Sequence, residues 1–202
     1  MTSLGEFNVS RETIDRLRRF ESLVQKWSPA INLVSKTSLS EIWERHILDS
    51  AQLFKFAPDD GHWVDIGSGA GFPGIVVAAL SLEFKSDHRF TLIESDRRKC
   101  AFLRTAIREL DLKADIMSER VEAIEPLGAD ILSARALADL NTLLEFAHFH
   151  LAPAGIALFP KGERWEKEHD NAQKIWSYRC QAITSKTNAA AAVLKIQDIA
   201  RV

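Results

Sequence analysis

Val64-Asp65-Ile66-Gly67-Ser68-Gly69-Ala70-Gly71-Phe72-Pro73-Gly74 is the stretch on which the fold turns. A short apolar strand over 62–66 runs into Gly67, Gly69, Gly71 and Gly74, and Pro73 opens an apolar run over 75–82 that reads as a helix. Glycine between a strand and a helix lets the backbone approach a ligand closely, with the positive end of the helix behind it. Proline suits a first helical position, because its missing N–H has no partner there and its φ is already set.

Beyond this stretch, strands and helices alternate. Strands are predicted over 89–94, 114–117, 130–134 and 156–159. Asp96 caps a helix over 97–110 with Ala101, Phe102, Ala106 and Leu110 inward, and further helices cover 139–150 and 163–175. Two closing strands, near 179–185 and 192–199, pair as an antiparallel hairpin. The pattern predicts an α/β, doubly wound, mostly parallel sheet with helices on both faces. Such sheets bind ligands beyond the carboxyl ends of their strands, where strand order reverses. The glycine loop, Glu94, Val121-Glu122, Arg135 and Lys161 all fall at such ends.

The first sixty residues read differently. After a loose lead-in over 1–9, Ser10 caps a helix that Ser28-Pro29 ends, with Ile14, Leu17, Phe20, Val24 and Trp27 on one stripe. Arg11, Arg16, Arg18 and Arg19, interleaved with Glu12, Asp15 and Glu21, form a solvated, ion-paired face, or alternatively an RNA-binding one. Asn32 to Thr37 is a connector. Ser38 and Glu41 make a capping box for a helix to about residue 54 that buries Ile42, Trp43, Ile47 and Phe54. His46 and Asp49, three apart, share a face and lie within hydrogen-bond reach. Residues 1–60 are thus a helical cap on a 61–202 domain, the two packed as one unit.

With 202 residues, 46% of them hydrophobic and 27% charged, the chain suits a soluble globular protein. Cys100 and Cys180 have neither metal-site spacing nor a disulfide framework and read as reduced thiols, which points to the cytoplasm. The N-terminus lacks a signal-peptide pattern, and no apolar stretch approaches the roughly 18 residues of a membrane span. A cytoplasmic monomer with no metal and no membrane contact is expected. Net charge is −2, from 26 basic and 28 acidic residues, so overall charge gives no argument for a nucleic-acid partner.

Glu94, at the end of the strand after the glycine loop, is placed to accept ribose hydroxyls of an adenosine-type ligand. Two ligand classes fit. Gly69-x-Gly71-x-x-Gly74 matches the dinucleotide fingerprint, which is weak alone. Asp65-Ile66-Gly67-Ser68-Gly69-Ala70-Gly71 fits the acidic-x-Gly-x-Gly-x-Gly arrangement of S-adenosylmethionine-dependent methyltransferases. A dinucleotide enzyme adds a separate substrate domain; a helical cap followed by one sheet favours the methyl donor.

The combination of Gly67-Ser68-Gly69-Ala70-Gly71-Phe72-Pro73-Gly74 with Asn32-Leu33-Val34-Ser35-Lys36, Glu44-Arg45-His46-Ile47-Leu48-Asp49-Ser50, Arg120-Val121-Glu122, Ser133-Ala134-Arg135-Ala136 and Pro160-Lys161-Gly162 resembles the RsmG (GidB) family. The resemblance covers roughly residues 8–165 and leaves the last 35 or so unassigned. It implies a Rossmann-like class I methyltransferase that uses S-adenosyl-L-methionine to methylate N7 of one guanine in the decoding-region loop of 16S ribosomal RNA. It places cofactor contacts on Gly67, Phe72, Val121, Glu122 and Arg135, to which the loop itself adds Gly69, Gly71 and Glu94.

Guanine N7 has a free lone pair at neutral pH, so the chemistry asks for in-line positioning and no general base. Arg135, Lys161 and His46 are the substrate-side candidates. Asn32, Lys36, Arg45, Arg97, Arg98 and Lys99 are candidate RNA contacts, with a small-subunit particle or assembly intermediate as the expected partner. An NAD-linked oxidoreductase and a non-catalytic ribosome-binding module of the same fold are the two other readings.

Overall fold

The computed structural model describes residues 2–202. Where a loose lead-in is expected, the chain forms an antiparallel ribbon, β1 (Thr2–Leu4) and β2 (Phe7–Val9), turned at Gly5. Leu4 and Val9 are fully buried, which gives this short ribbon the apolar anchorage that two strands alone lack.

Ser10 caps α1 (Arg11–Ile31), its hydroxyl accepting the Thr13 N–H. The helix runs through Pro29 and ends at Asn32, in the left-handed region, whose N–H bonds the Ser28 carbonyl at 2.8 Å. In a last turn, proline forfeits a single backbone bond, too little to stop the helix there. Arg16 leaves the predicted solvated face: it is buried, and its Nε donates to the Leu110 carbonyl at 2.9 Å.

The next helical segment is irregular. Ser35, not Ser38, is its cap, accepting the Ser38 N–H at 3.2 Å. A 3-10 turn (Lys36–Glu41), a π-helical stretch (Trp43–Leu48), the single turn α2 (Asp49–Ala51) and a second 3-10 turn (Gln52–Phe56) follow. Ile42 and Ile47 are fully buried as expected, while Trp43 is half-buried beneath the Arg18 guanidinium, 3.6 Å away.

The rest of the chain is β3 (Asp60–Ile66), α3 (Gly74–Phe84), β4 (Asp87–Ile93), α4 (Arg97–Glu109), β5 (Ala114–Met117), β6 (Ala129–Ala134), α5 (Leu140–His150), β7 (Leu151–Lys161), α6 (Trp165–Ala172), β8 (Trp176–Thr184) and β9 (Ala192–Arg201). Pro73 is the cap of α3 rather than its first residue. In α4, Phe102, Ala106 and Leu110 face inward as expected, but Ala101 is exposed and Leu103 takes the buried place.

Seven strands form one sheet in the order β5-β4-β3-β6-β7-β9-β8. The first five are parallel; β9 and β8 close it as an antiparallel hairpin. Strand order reverses on either side of β3, which leaves a crevice beyond its carboxyl end. Every residue of α3 from Gly74 to Ser81 is buried, because the helix lies between the sheet and the N-terminal helices; it is therefore apolar all round.

Asp65 joins these layers. Its carboxylate is fully buried and accepts the Ser133 hydroxyl on the neighbouring β6 at 2.7 Å and the Gly74 N–H at 3.3 Å. Ser133 in turn accepts the Trp63 indole N–H at 2.9 Å. Burial pushes the Asp65 carboxyl up to about 6, against the hydrogen bonds that favour its charge. Between its ordinary value of 3.8 and about 6 the folded protein holds a proton that the unfolded chain has lost. This contribution to stability is full in acid and is lost as pH rises through about 6. Urea unfolding of the wild type and Asp65→Asn, whose amide cannot ionise, isolates it: relative to the variant, the wild type loses on the order of 3 kcal/mol between about pH 4 and pH 7. A difference that does not change with pH would show the carboxyl held in one state throughout.

Candidate active site

The crevice beyond β3 is a cleft of about 660 Å³. Gly67 and Gly69 line it with φ of 64° and 52°, a backbone that side chains rarely adopt. Ser68 pins the loop: its N–H bonds the Ile93 carbonyl at 3.0 Å, and its hydroxyl donates to the Asp65 carbonyl at 2.8 Å. Glu94 clamps the other side. Its Oε2 accepts the Gly69 N–H at 2.9 Å and its Oε1 the Asp96 N–H at 2.8 Å. A carboxylate has about four lone-pair sites, so two remain for donors on a ligand. A Cβ at Gly69 would meet nothing nearer than the Gly67 carbonyl at 3.6 Å, so the bare backbone there is open to a ligand.

Gly71 is not among the residues lining the cleft. A Cβ on it would strike Ile75 at 2.6 Å and Phe20 at 3.1 Å, so its job is to let α1 pack against the loop. Phe72 is buried, 5.1 Å from the Phe20 ring, and stacks on His46 at 5.0 Å while lining the cleft. Val121 and Glu122 also line the cleft, with Arg120 beside them. The Val121 carbonyl lies 3.2 Å from Nε2 of the buried His150. Cys100 is buried with its thiol donating to the Glu94 carbonyl at 3.0 Å, which gives it a structural role.

A second cleft, about 600 Å³, adjoins the first, and Ser38, His46, Arg135 and Ala136 line both. Arg135 is the septum. Its Nε faces Asp49 Oδ2 at 3.5 Å, its Nη2 donates to the Arg45 carbonyl at 3.1 Å and to His46 Nδ1, and its Nη1 is buried without a partner. Burial lowers its pKa, opposed by Asp49 and Asp65, and the guanidinium stays cationic.

Burial first, then Arg135 and Arg45, hold His46 down to about 4, so it is neutral at physiological pH. With Nδ1 accepting from Arg135, the ring proton sits on Nε2, which is buried and unpartnered. The predicted direct His46–Asp49 bond is replaced by the guanidinium, which touches both.

Lys161 lines only the second cleft, and its ammonium is tied to Glu168 at 2.6 Å and to the Ala138 carbonyl at 3.0 Å. It braces the chain after β6. Of the candidate RNA contacts, Lys99 lines the first cleft and Arg45 the second; Arg45 pairs with Glu41 and Arg98 with Asp96, each at 3.0 Å, and Asn32, Lys36 and Arg97 are exposed. Sequence reasoning gave no place at the first cleft to Leu33, Val34 and Ser35 of the connector or to the adjacent Ser38, which form a wall of it, nor to Leu137, whose Cδ1 lies 2.6 Å from a Cβ placed on Gly67. The apolar centre of the connector was the available signal.

Solved structures share this architecture at low sequence identity. A mutant of MtNAS in complex with S-adenosylmethionine matches with a TM-score of 0.59 at 15% identity, over 92% of this chain and 75% of that one. Precorrin-6y C5,15-methyltransferase from Geobacter metallireducens matches at 0.52 and 14% identity, over 84% and 92%. Sequence relatives are far nearer. Proteins named ribosomal RNA small subunit methyltransferase G are 54% identical in Ruegeria sp. (strain TM1040), over 98% of this chain and 96% of that one, and 47% identical in Rhodospirillum centenum (strain ATCC 51521 / SW), over 96% and 88%. The family model described as rRNA small subunit methyltransferase G (GidB) matches residues 13–195. The chain belongs to the rRNA small subunit methyltransferase G family.

Proposed function

We propose that this protein transfers a methyl group from S-adenosyl-L-methionine to N7 of a guanine in the decoding-region loop of 16S ribosomal RNA. The observation that carries the reading is the pair of clefts meeting at Arg135 and His46: one walled by bare glycine backbone and a strand-end carboxylate, the other open beside it. Family membership supplies the small-subunit ribosomal RNA as acceptor.

The first cleft suits the methyl donor. Gly67 and Gly69 give it close backbone approach, Glu94 has lone pairs left for ribose hydroxyls, and the Val121-Glu122 stretch offers polar groups to adenine. When bound, S-adenosylmethionine supplies an electrophilic methyl carried on a sulfonium. The residues at the septum have no proton to remove, because N7 is an unprotonated acceptor at neutral pH. They orient instead. Arg135 Nη1 and His46 Nε2 are donors without partners, suited to the acceptor atoms of a guanine held between the clefts. A neutral His46 adds no second positive charge beside Arg135, where charge develops on the base.

With so balanced an overall charge, recognition rests on local shape and on the exposed basic residues around the cap and α4, so a folded small-subunit particle is the acceptor. Among the described residues no helix is long and apolar enough to cross a membrane. In this reading the protein acts in the cytoplasm as a monomer, with the cap of residues 1–60 and the sheet domain of 61–202 working as one unit.

Borohydride reduction and aniline cleavage cut RNA at 7-methylguanosine. A strain lacking the gene should lose one such cut in its 16S ribosomal RNA; the wild-type gene should restore it and Arg135→Ala should not. A cut that survives deletion refutes the reading. In calorimetry, Gly67→Asp should weaken S-adenosylmethionine binding by at least about tenfold, since it adds strain at a positive φ, a clash with Leu137 and a charge in the cleft; equal affinity would put the donor elsewhere. Single-turnover rates should vary less than about twofold from pH 7 to pH 8.5, as no group need lose a proton. A log-linear rise over that range would reveal a general base.

A further inference from the structure

The connection between β8 and β9 has no assigned role, yet buried polar groups fasten it to the septum between the clefts. Oδ1 of Asp49 accepts three donors: the hydroxyls of Ser185 and Thr187, each at 3.0 Å, and the side-chain amide of Gln52 at 2.8 Å. Gln52, itself buried, returns its Oε1 to the Lys186 N–H at 3.1 Å. The other oxygen of the same carboxylate, Oδ2, faces Arg135 Nε at 3.5 Å. One carboxylate thus fixes the start of a loop some 136 residues away in sequence and the guanidinium that parts the two clefts.

That arrangement is more than the loop needs. A neutral acceptor at Asp49 would serve the hydroxyls and the amide; only the ionised group also orients a cation. Thr187, itself one of these anchors, and Asn188 just beyond it line the second cleft. Asn188 accepts the Ala190 N–H at 3.0 Å through Oδ1, which leaves its exposed NH₂ as a donor suited to ribose–phosphate oxygens.

We propose that Asp49 is a positioning residue that sets Arg135 and the β8–β9 loop in one frame, and that this loop, through Asn188, is the wall on which the ribose–phosphate backbone of the acceptor RNA is seated. The inference rests on the methyl-transfer reading above. The C-terminal hairpin then contributes to the recognition of RNA, and the carboxylate couples that recognition to the residue beside the reacting base.

The test uses the full chain, tritiated S-adenosylmethionine and small-subunit particles from a strain lacking the gene. Wild-type turnover is measured first; an inert wild type overturns the methyl-transfer reading and this inference with it. With an active wild type, the surface variant Asn188→Ala should raise the particle KM at least about fivefold, with kcat and the calorimetric Kd for S-adenosylmethionine within about twofold. Asp49→Asn, which keeps the loop's acceptor but removes the negative charge facing Arg135, should lower kcat at least about tenfold with a smaller change in particle KM. Unchanged kinetics in Asn188→Ala overturn the RNA-seating role of the loop. A parallel fall in melting temperature, cofactor affinity and turnover in Asp49→Asn, or a kcat equal to wild type, overturns the positioning role and leaves the carboxylate a bolt of the fold.

Discussion

A buried carboxylate holds the functional end of this sheet together. Asp65 is the penultimate residue of β3, just before the chain breaks into glycines, with no access to water. Its two oxygens reach in different directions: one to Ser133 on the adjacent strand, the other to the first amide of α3. Burying an ionisable group is costly unless its hydrogen bonds are met, so the partners and the carboxylate specify one another. The glycine loop hangs between these fixed points, pinned by Ser68 to the end of β4 and clamped by Glu94. The shape of the first cleft follows.

Arg135 has the matching role on the neighbouring strand. It emerges just after β6, whose Ser133 meets Asp65, and crosses to the irregular helical segment to meet Arg45, His46 and Asp49. The guanidinium replaces a bridge that helix spacing suggested between His46 and Asp49. It also bears on the imidazole: burial first, then the permanent cation beside it, keep that ring neutral, and the bond from the guanidinium fixes its proton on the far nitrogen. The π-helical stretch that carries His46 lies within a segment capped one turn earlier than the sequence signals indicate. Wide turns of this kind are frequent at functional sites, because they re-aim side chains that a regular helix would place elsewhere.

Much of the molecule was legible without coordinates. Strand-helix alternation, the glycines after β3, the acidic residue ending β4 and the polar stops after β5, β6 and β7 are local signals. Each follows from chemistry that a few consecutive residues carry: alternation and periodicity, φ freedom at glycine, caps at Ser10 and Asp96. These determine a doubly wound α/β sheet and the end of it at which a ligand docks, and the quoted motifs in combination determine the family.

Other features were written nowhere along the chain. That Arg16 is a buried strut, that Gly71 serves Phe20 and Ile75 rather than the cleft, and that Lys161 is tied to Glu168 depend on which elements come to lie against one another. The joining of Asp49 to Ser185 and Thr187 spans two-thirds of the sequence and has no periodicity to announce it. Charged and polar side chains carry the same local pattern whether they face water or a partner. Propensity and spacing therefore determined the fold of this protein and the place of its site, while the pairing of its polar groups was decided only when packing brought distant residues out of water together.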